Sequence, residues 1–251
     1  MSWIYDAHIH LSDPEYRSDI DMILNYMDFL KIKACCVSMD LETSHETMNL
    51  SKKSKNVFPF IGIHPEMAQK KHESVYDMIE ENHNTITGIG EIGLDRTYIE
   101  SEDEWNIQKE VFSKQLSLAE KYNKPVSIHS RKTLSDIFEI LPSYQVPGIL
   151  LHWFDGNKSQ LQTAMDNQYF VSYGPLLVYA NDKQTLLTKT DISQLLVETD
   201  GPVKFSRCFE YKTTEIMFVS SVIFCASKLL HTSYEKLLVQ IEDNSKKFLG
   251  I

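Results

Sequence analysis

Asp6-Ala7-His8-Ile9-His10 is the stretch on which the reading of this chain turns. It follows the short apolar run Trp3-Ile4-Tyr5, and the two together predict a β-strand. Successive side chains of a strand point to opposite faces, so His8 and His10 share one face while Ile9 takes the other. Two imidazoles on one face, two residues apart, can bind a single metal ion through their nitrogens. Alone, the pattern fits two ordinary polar residues better than a metal site. What decides the matter is where the rest of the chain puts its polar residues.

Downstream, short apolar runs alternate with stretches of helical periodicity. Ser18–Lys31 carries Ile20, Ile23, Leu24, Met27 and Leu30 at helical spacing. Strands are predicted at Ala34–Met39, Val57–Ile63, Ile86–Glu91, Pro125–His129, Gly148–Trp153, Tyr169–Tyr173 and Leu195–Thr199, with helical segments between nearly all of them. Ser101-x-x-Glu104 and Thr232-x-x-Glu235 read as capping boxes that open helices. Two further helical segments, Thr213–Leu230 and Thr232–Leu249, follow the eighth strand. No linker, repeat or low-complexity segment interrupts the pattern, so residues 1–251 are expected to form one domain.

Eight short strands alternating with helices in 251 residues match a (β/α)8 TIM barrel, an α/β fold, in both count and length. A doubly wound open sheet is the alternative, but it does not explain where the polar residues fall. They fall at strand ends: His8 and His10 on the first, His64 on the third, Glu91 on the fourth, His129 on the fifth, His152 on the sixth and Asp200 on the eighth. In a barrel those C-terminal ends ring one mouth, where active sites sit. Of nine histidines, five lie at these ends, and a shared metal centre explains that better than repeated coincidence.

Composition narrows the setting. Hydrophobic residues at 42% and charged residues at 24% are ordinary for a soluble globular chain. Cys35, Cys36, Cys208 and Cys225 show no Cys-x-x-Cys spacing and are expected to be reduced thiols of a cytoplasmic protein. No apolar leader is evident, and the longest apolar stretch, near Met217–Ala226, is too short to span a bilayer, so no membrane association is expected. A formal charge of −10 argues against a broad phosphate-binding surface. It leaves room for a nucleic acid held at one site, because bound divalent cations reverse the local field.

The chain resembles the TatD-type metal-dependent deoxyribonucleases, within the amidohydrolase-like barrels. The resemblance rests on Asp6-Ala7-His8-Ile9-His10, Gly62-Ile63-His64-Pro65, Gly90-Glu91-Ile92-Gly93-Leu94-Asp95, Pro125-Val126-Ser127-Ile128-His129-Ser130-Arg131, Leu151-His152-Trp153-Phe154-Asp155-Gly156 and Glu198-Thr199-Asp200-Gly201-Pro202, in the family's order. It implies that His8, His10, Glu91 and Asp200 hold one metal, that Glu91, His129 and His152 hold a second, and that Glu91 bridges the two. It also implies that His64 sits beside the site and touches substrate phosphate. Two stretches depart from the familiar pattern. Trp153 and Asp155 stand where a cysteine and a Thr or Ser are usual, and Gly201-Pro202-Val203-Lys204-Phe205 replaces a more common Ala-Pro-Tyr-Leu run. Both line the expected mouth, so they bear on substrate preference more than on chemistry.

The donor set stands on its own chemistry. Imidazoles mixed with carboxylates suit Zn²⁺ or Mn²⁺, and Mg²⁺ less readily, with one or two ions per chain expected. Asp6 and Asp95 are expected to orient the histidines. Ser130 and Arg131, and less strongly Lys204 and Arg207, are within reach of a phosphate oxygen past strands five and eight. Trp153 and Phe154 are candidates to stack on a base, although rim packing suits Phe154 better. No Gly-x-Ser-x-Gly elbow is present, and no cysteine sits beside a strand-end histidine. Three functions follow: a phosphodiesterase acting on DNA ends, chiefly single-stranded; a small-molecule amidohydrolase or lactonase; and a non-catalytic scaffold. Glu91 in place of a carboxylated lysine on strand four favours the first, with Asp200, Glu91 and His64 as catalytic residues, Arg131 as a substrate contact and no obligate protein partner.

Overall fold

The computed structural model describes residues 2–251. Strands and helices follow the order β1 (Ile4–Ile9), α1 (Ile20–Leu30), β2 (Ile32–Val37), α2 (Leu41–Lys53), β3 (Val57–Ile61), α3 (Glu73–Asn82), β4 (Gly88–Gly93), α4 (Glu102–Lys121), β5 (Val126–His129), α5 (Leu134–Ile140), β6 (Ile149–Leu151), α6 (Lys158–Asp166), β7 (Phe170–Tyr173), α7 (Asn181–Leu187), β8 (Leu195–Val197), α8 (Phe218–Leu229) and α9 (Tyr234–Leu249). The eight strands lie side by side in chain order, each parallel to the next, which is the (β/α)8 arrangement.

The last seam closes differently from the others. Where β8 meets β1, the Asp200 N–H donates to the His8 carbonyl at 2.9 Å and the His10 N–H to the Gly201 carbonyl at 2.8 Å. Asp6, fully buried, completes the seam: one carboxylate oxygen accepts from the backbone N–H groups of His8 and Thr199, and the other from the Thr199 hydroxyl at 2.5 Å. Burial pushes the Asp6 carboxyl up to about 7 against those hydrogen bonds.

Two apolar layers hold the barrel. Ile9, Cys36, Ile61, Ile89, Ile128 and Val171 belong to the layer between sheet and helices. Tyr5, Ala7, Cys35, Phe60, Leu150 and Leu196 fill the interior together with Phe248 and Leu249 from the end of α9. Phe248 stacks on Phe60 at 5.9 Å and meets Phe170 edge-on at 5.7 Å, so α9 stoppers the barrel end opposite the mouth. Gly148 lets it in: a Cβ there would stand 2.4 Å from the Phe248 carbonyl oxygen.

Strand alternation alone would not place His8 inside, because Tyr5 and Ala7 already face inward. Between Asp6 and Ile9, three steps on β1 match two on β2, where Asp6 pairs with Ala34 and Ile9 with Cys36. This bulge shifts the phase, so that His8 and His10 turn inward and Ile9 outward. A second irregularity in β4, between Ile89 and Ile92 opposite Val126 and Ile128, carries Glu91. Both devices that aim the inward polar residues are thus irregularities of register.

Several predicted boundaries move. The ladders end before the polar residues do: β1 stops one residue short of His10, β3 three short of His64, β6 one short of His152 and β8 three short of Asp200. The stretch from Thr213 to Met217 is not helical; the Tyr16 hydroxyl donates to the Thr214 carbonyl and the Thr214 hydroxyl to that of Val203, which pin it as a loop. The box predicted at Thr232 is displaced by one residue. The Thr232 N–H is taken by the Ser227 carbonyl at 3.0 Å, and Ser233 caps α9 through the Lys236 N–H at 3.2 Å. At Ser101 half of the predicted box forms, since the Glu104 carboxylate reaches the Glu100 N–H.

Phe248→Ala should cost roughly 3–5 kcal/mol in urea unfolding, the usual range for emptying a well-packed aromatic site, while the mouth at the other end keeps its geometry. A loss below about 1 kcal/mol would show that the stopper is not packed as described.

Candidate metal centre

All six residues expected to hold metal converge on the mouth, around the carboxylate of Glu91. Its Oε2 stands 3.5 Å from His8 Nε2 and 3.2 Å from His10 Nε2. Asp200 Oδ1 is 3.5 and 3.6 Å from the same two nitrogens, which are 3.3 Å apart. Five of the six separations among these donors lie between 3.2 and 3.6 Å; His8, His10 and Glu91 form one group able to hold a metal ion, with Asp200 beside the two imidazoles. A tetrahedral ion with bonds of about 2.0–2.1 Å sets its donors about 3.3–3.4 Å apart. The other oxygen, Oε1, faces a second group: His129 Nδ1 at 2.8 Å, His152 Nε2 at 2.7 Å and His64 Nε2 at 3.6 Å. One glutamate therefore shows each of its oxygens to a different imidazole cluster.

Neighbouring groups hold the rings in place. His129 Nε2 lies 2.7 Å from Asp95 Oδ2, so Asp95 orients this imidazole as expected. Asp6 does not act on a ring. It grips the His8 backbone and Thr199 instead, and His8 Nδ1 is held at 2.8 Å by the hydroxyl of Ser127. Ser127 was missed in the sequence although it lies two residues before His129, on the same face of a strand. Glu198, two residues before Asp200, was also passed over. It is fully buried and binds the Ser172 hydroxyl at 2.5 Å and the Trp153 N–H at 2.7 Å. His8 and His152 stack in parallel at 3.8 Å, which packs the two clusters against each other.

His64 is close enough to join the second cluster, but its hydrogen bonding argues for a different task. Its Nδ1 accepts the Glu66 N–H at 3.2 Å, so in the neutral ring the proton sits on Nε2, which then donates toward Glu91. Burial pulls His64 down to about 3, which keeps it neutral. In this tautomer Nε2 is a hydrogen-bond donor.

The electrostatics without metal are set by burial against the carboxylates. Burial pulls His8 down to about 4, aided by His152, so its contacts with Glu91 and Asp200 are not ion pairs. Burial also works against His10 and His129, but Asp200 and Glu91 hold His10 up to about 10, and Asp95 and Glu91 hold His129 up to about 9. Glu91 and Asp200 would be raised by burial; the surrounding imidazoles overturn that and keep both carboxyls below their usual range.

The expected substrate contacts fare unevenly. Arg131 is exposed on the rim, and its carbonyl accepts the Arg96 N–H at 3.3 Å. Lys204 pairs with Glu15 at 3.1 Å, and Arg207 is exposed on a loop in left-handed backbone. Phe154 is buried, as rim packing requires, whereas Trp153 is half-buried.

Metal uptake should release protons. Ligand nitrogens must be unprotonated, and His10 and His129 carry protons in the metal-free protein at neutral pH. Filling both clusters near pH 7.5 should release about two protons, and affinity should climb with pH until it passes about 9–10. Calorimetry in two buffers of different ionisation enthalpy counts the protons, and an affinity that falls as pH rises from 6 to 8 would contradict these assignments.

Comparison with known proteins gives a consistent picture. The family described as TatD related DNase matches residues 5–250. YabD of Bacillus subtilis, named a metal-dependent hydrolase, is 28% identical over 99% of this chain and 99% of its own. The human deoxyribonuclease TATDN3 is 27% identical over 79% of this chain and 78% of its own. The crystal structure of YjjV, a TatD homolog from Escherichia coli, shares the fold with a TM-score of 0.89 at 21% identity, covering 99% of this chain and 98% of that one. With a match spanning residues 5–250, this chain belongs to the TatD related DNase family.

Proposed function

We propose that this member of the TatD family of metal-dependent hydrolases is a phosphodiesterase that removes nucleotides from the ends of single-stranded DNA. The observation that carries the reading is the two-sided carboxylate of Glu91, with Oε2 facing His8, His10 and Asp200 and Oε1 facing His129 and His152. In this reading the first group holds one divalent cation, the second group holds another, and Glu91 joins them. Divalent cations held by these residues would supply Lewis-acid polarisation of a phosphoryl group and a lowered pKa for bound water. The deoxyribonuclease name of human TATDN3 supports DNA as the substrate class.

The chain's own groups then have separate tasks. The Asp200 carboxylate, held ionised beside His8 and His10, accepts the proton of the attacking water. The Nε2–H of His64, 3.6 Å from Glu91 Oε1, would donate to a phosphoryl oxygen bound beside the second group as negative charge grows. Asp95 and Ser127 keep His129 and His8 from turning away. Arg131 follows the strand's phosphates along the rim. No helix among the described residues is long and apolar enough to cross a membrane.

Asp200 sits in left-handed backbone at φ 51°, a conformation asparagine tolerates as well, so Asp200→Asn removes charge without straining the loop. It should lower turnover roughly 10²–10⁴-fold while metal content falls little. Glu91→Gln removes the charge shared by the two clusters and should lose metal as well as turnover. Metal analysis beside single-turnover cleavage of an end-labelled oligonucleotide reads both variants. Full turnover in Asp200→Asn, or a full metal complement in Glu91→Gln, would reassign these roles. Chelator-sensitive cleavage of the oligonucleotide, tested against lactones and N-acyl compounds, separates the phosphodiesterase from a small-molecule hydrolase.

A further inference from the structure

Trp153 stands at the mouth directly after His152, whose Nε2 is 2.7 Å from Glu91. Three features make it unlike an ordinary rim residue. Its backbone is locked: φ is 42°, in the left-handed region, and its N–H is held at 2.7 Å by the buried carboxyl of Glu198. Its ring is backed: the indole stacks on Phe205 at 5.3 Å and 23°, and Phe205, only 3% exposed, rests in turn on Phe209 at 6.0 Å. It also stays half-open, whereas its neighbour Phe154 is buried.

A residue that only fills space would be expected to bury its ring, as Phe154 does. A half-open indole with fixed backbone and a solid aromatic support loses little freedom when a second flat group lies on it. The slot that Trp153 and Phe205 line with Gly174 and Leu176 is closed to about 10 Å³, room for no more than one water, so a flat ligand meets the open part of the indole and does not enter behind it. Arg131 and Arg207, both exposed, follow β5 and β8, on either side of β6 in strand order.

We propose that Trp153 is a stacking platform for the base of the terminal nucleotide, so that this enzyme selects ends that carry a base over otherwise identical phosphodiesters. The proposal rests on the phosphodiesterase reading and narrows its substrate to a nucleobase-bearing end. Stacking is indifferent to which base is present, because every base offers a π-face.

The test uses metal-loaded enzyme and pairs of single-stranded oligonucleotides that differ only in whether the terminal nucleotide bears a base or an abasic tetrahydrofuran, with each end varied in turn. Wild type should show a KM roughly 5- to 100-fold lower for the base-bearing end, the range that stacking one base supplies. Trp153→Ala should raise KM for that substrate by the same factor, leave the abasic substrate unchanged and leave kcat nearly constant. Trp153→Phe should keep most of the preference. Equal loss on both substrates in Trp153→Ala would mean that the ring merely packs the mouth, and equal KM values in wild type would also overturn the platform. Failure of wild type to cleave either oligonucleotide would overturn the phosphodiesterase reading itself, and the platform with it.

Discussion

A single carboxylate, that of Glu91, sets the terms for the rest of this structure. It is 2% exposed and carries charge in the barrel mouth, and among the described residues no lysine or arginine pairs with it. A buried unpaired carboxylate is costly enough that it would ordinarily take up a proton. Five imidazoles prevent this by crowding both oxygens, and Asp200 adds a second negative charge that strengthens the demand for cations. Protons on His10 and His129 meet that demand in the metal-free protein, and divalent ions meet it better, since they bring two charges each to the same donors. The fold is therefore adapted to an occupant that its own side chains only partly replace.

Placing six such groups in register requires a barrel that is regular below and irregular above. The lower part is stoppered by Phe248 against Phe60 and Phe170, with ordinary strand pairing. At the mouth, the shifts in β1 and β4 turn His8, His10 and Glu91 inward, and the ladder between β8 and β1 gives way to the side chain of Asp6. Asp6 thus serves the site by fixing backbone: it holds His8 and Thr199, and the His8 carbonyl in turn receives the Asp200 N–H. Two candidate ligands, at the first and last strands, are fastened to each other through one buried acid.

Much of this was legible in the sequence because a barrel brings strand ends together wherever they occur in the chain. His8, His10, Glu91, His129, His152 and Asp200 could be gathered from their positions after apolar runs, before any distance was known. What stayed hidden were features that a strict period of two does not encode. Alternation pairs His8 with His10 correctly, yet the inward phase comes from a bulge that no residue in Asp6-Ala7-His8-Ile9-His10 announces. Asp6 looked like a ring orienter by proximity, but its oxygens meet backbone and a hydroxyl. Ser127 and Glu198 share a face with His129 and Asp200 and were within reach of the same periodicity; small or motif-internal polar residues draw less notice than histidines. Thr232 yielded to Ser233 as a cap because the end of α8 claims the Thr232 N–H.

The acidic surface then acquires a meaning in terms of how a polyanion arrives. With a net charge of −10 the chain as a whole repels a polyanion at long range, and Lys204 is already engaged by Glu15. At the mouth, bound cations would invert the field over a few ångströms, beside the exposed Arg131. A surface of this kind cannot grip a long duplex along its backbone, because affinity of that sort grows with the number of phosphates neutralised. On the proposed reading it would admit one flexible end whose last phosphate reaches the cations. On that reading, discrimination among ends would come from groups beside the cluster, and Trp153 and the loop that carries Phe205 are the positions there where this chain departs from the usual motif.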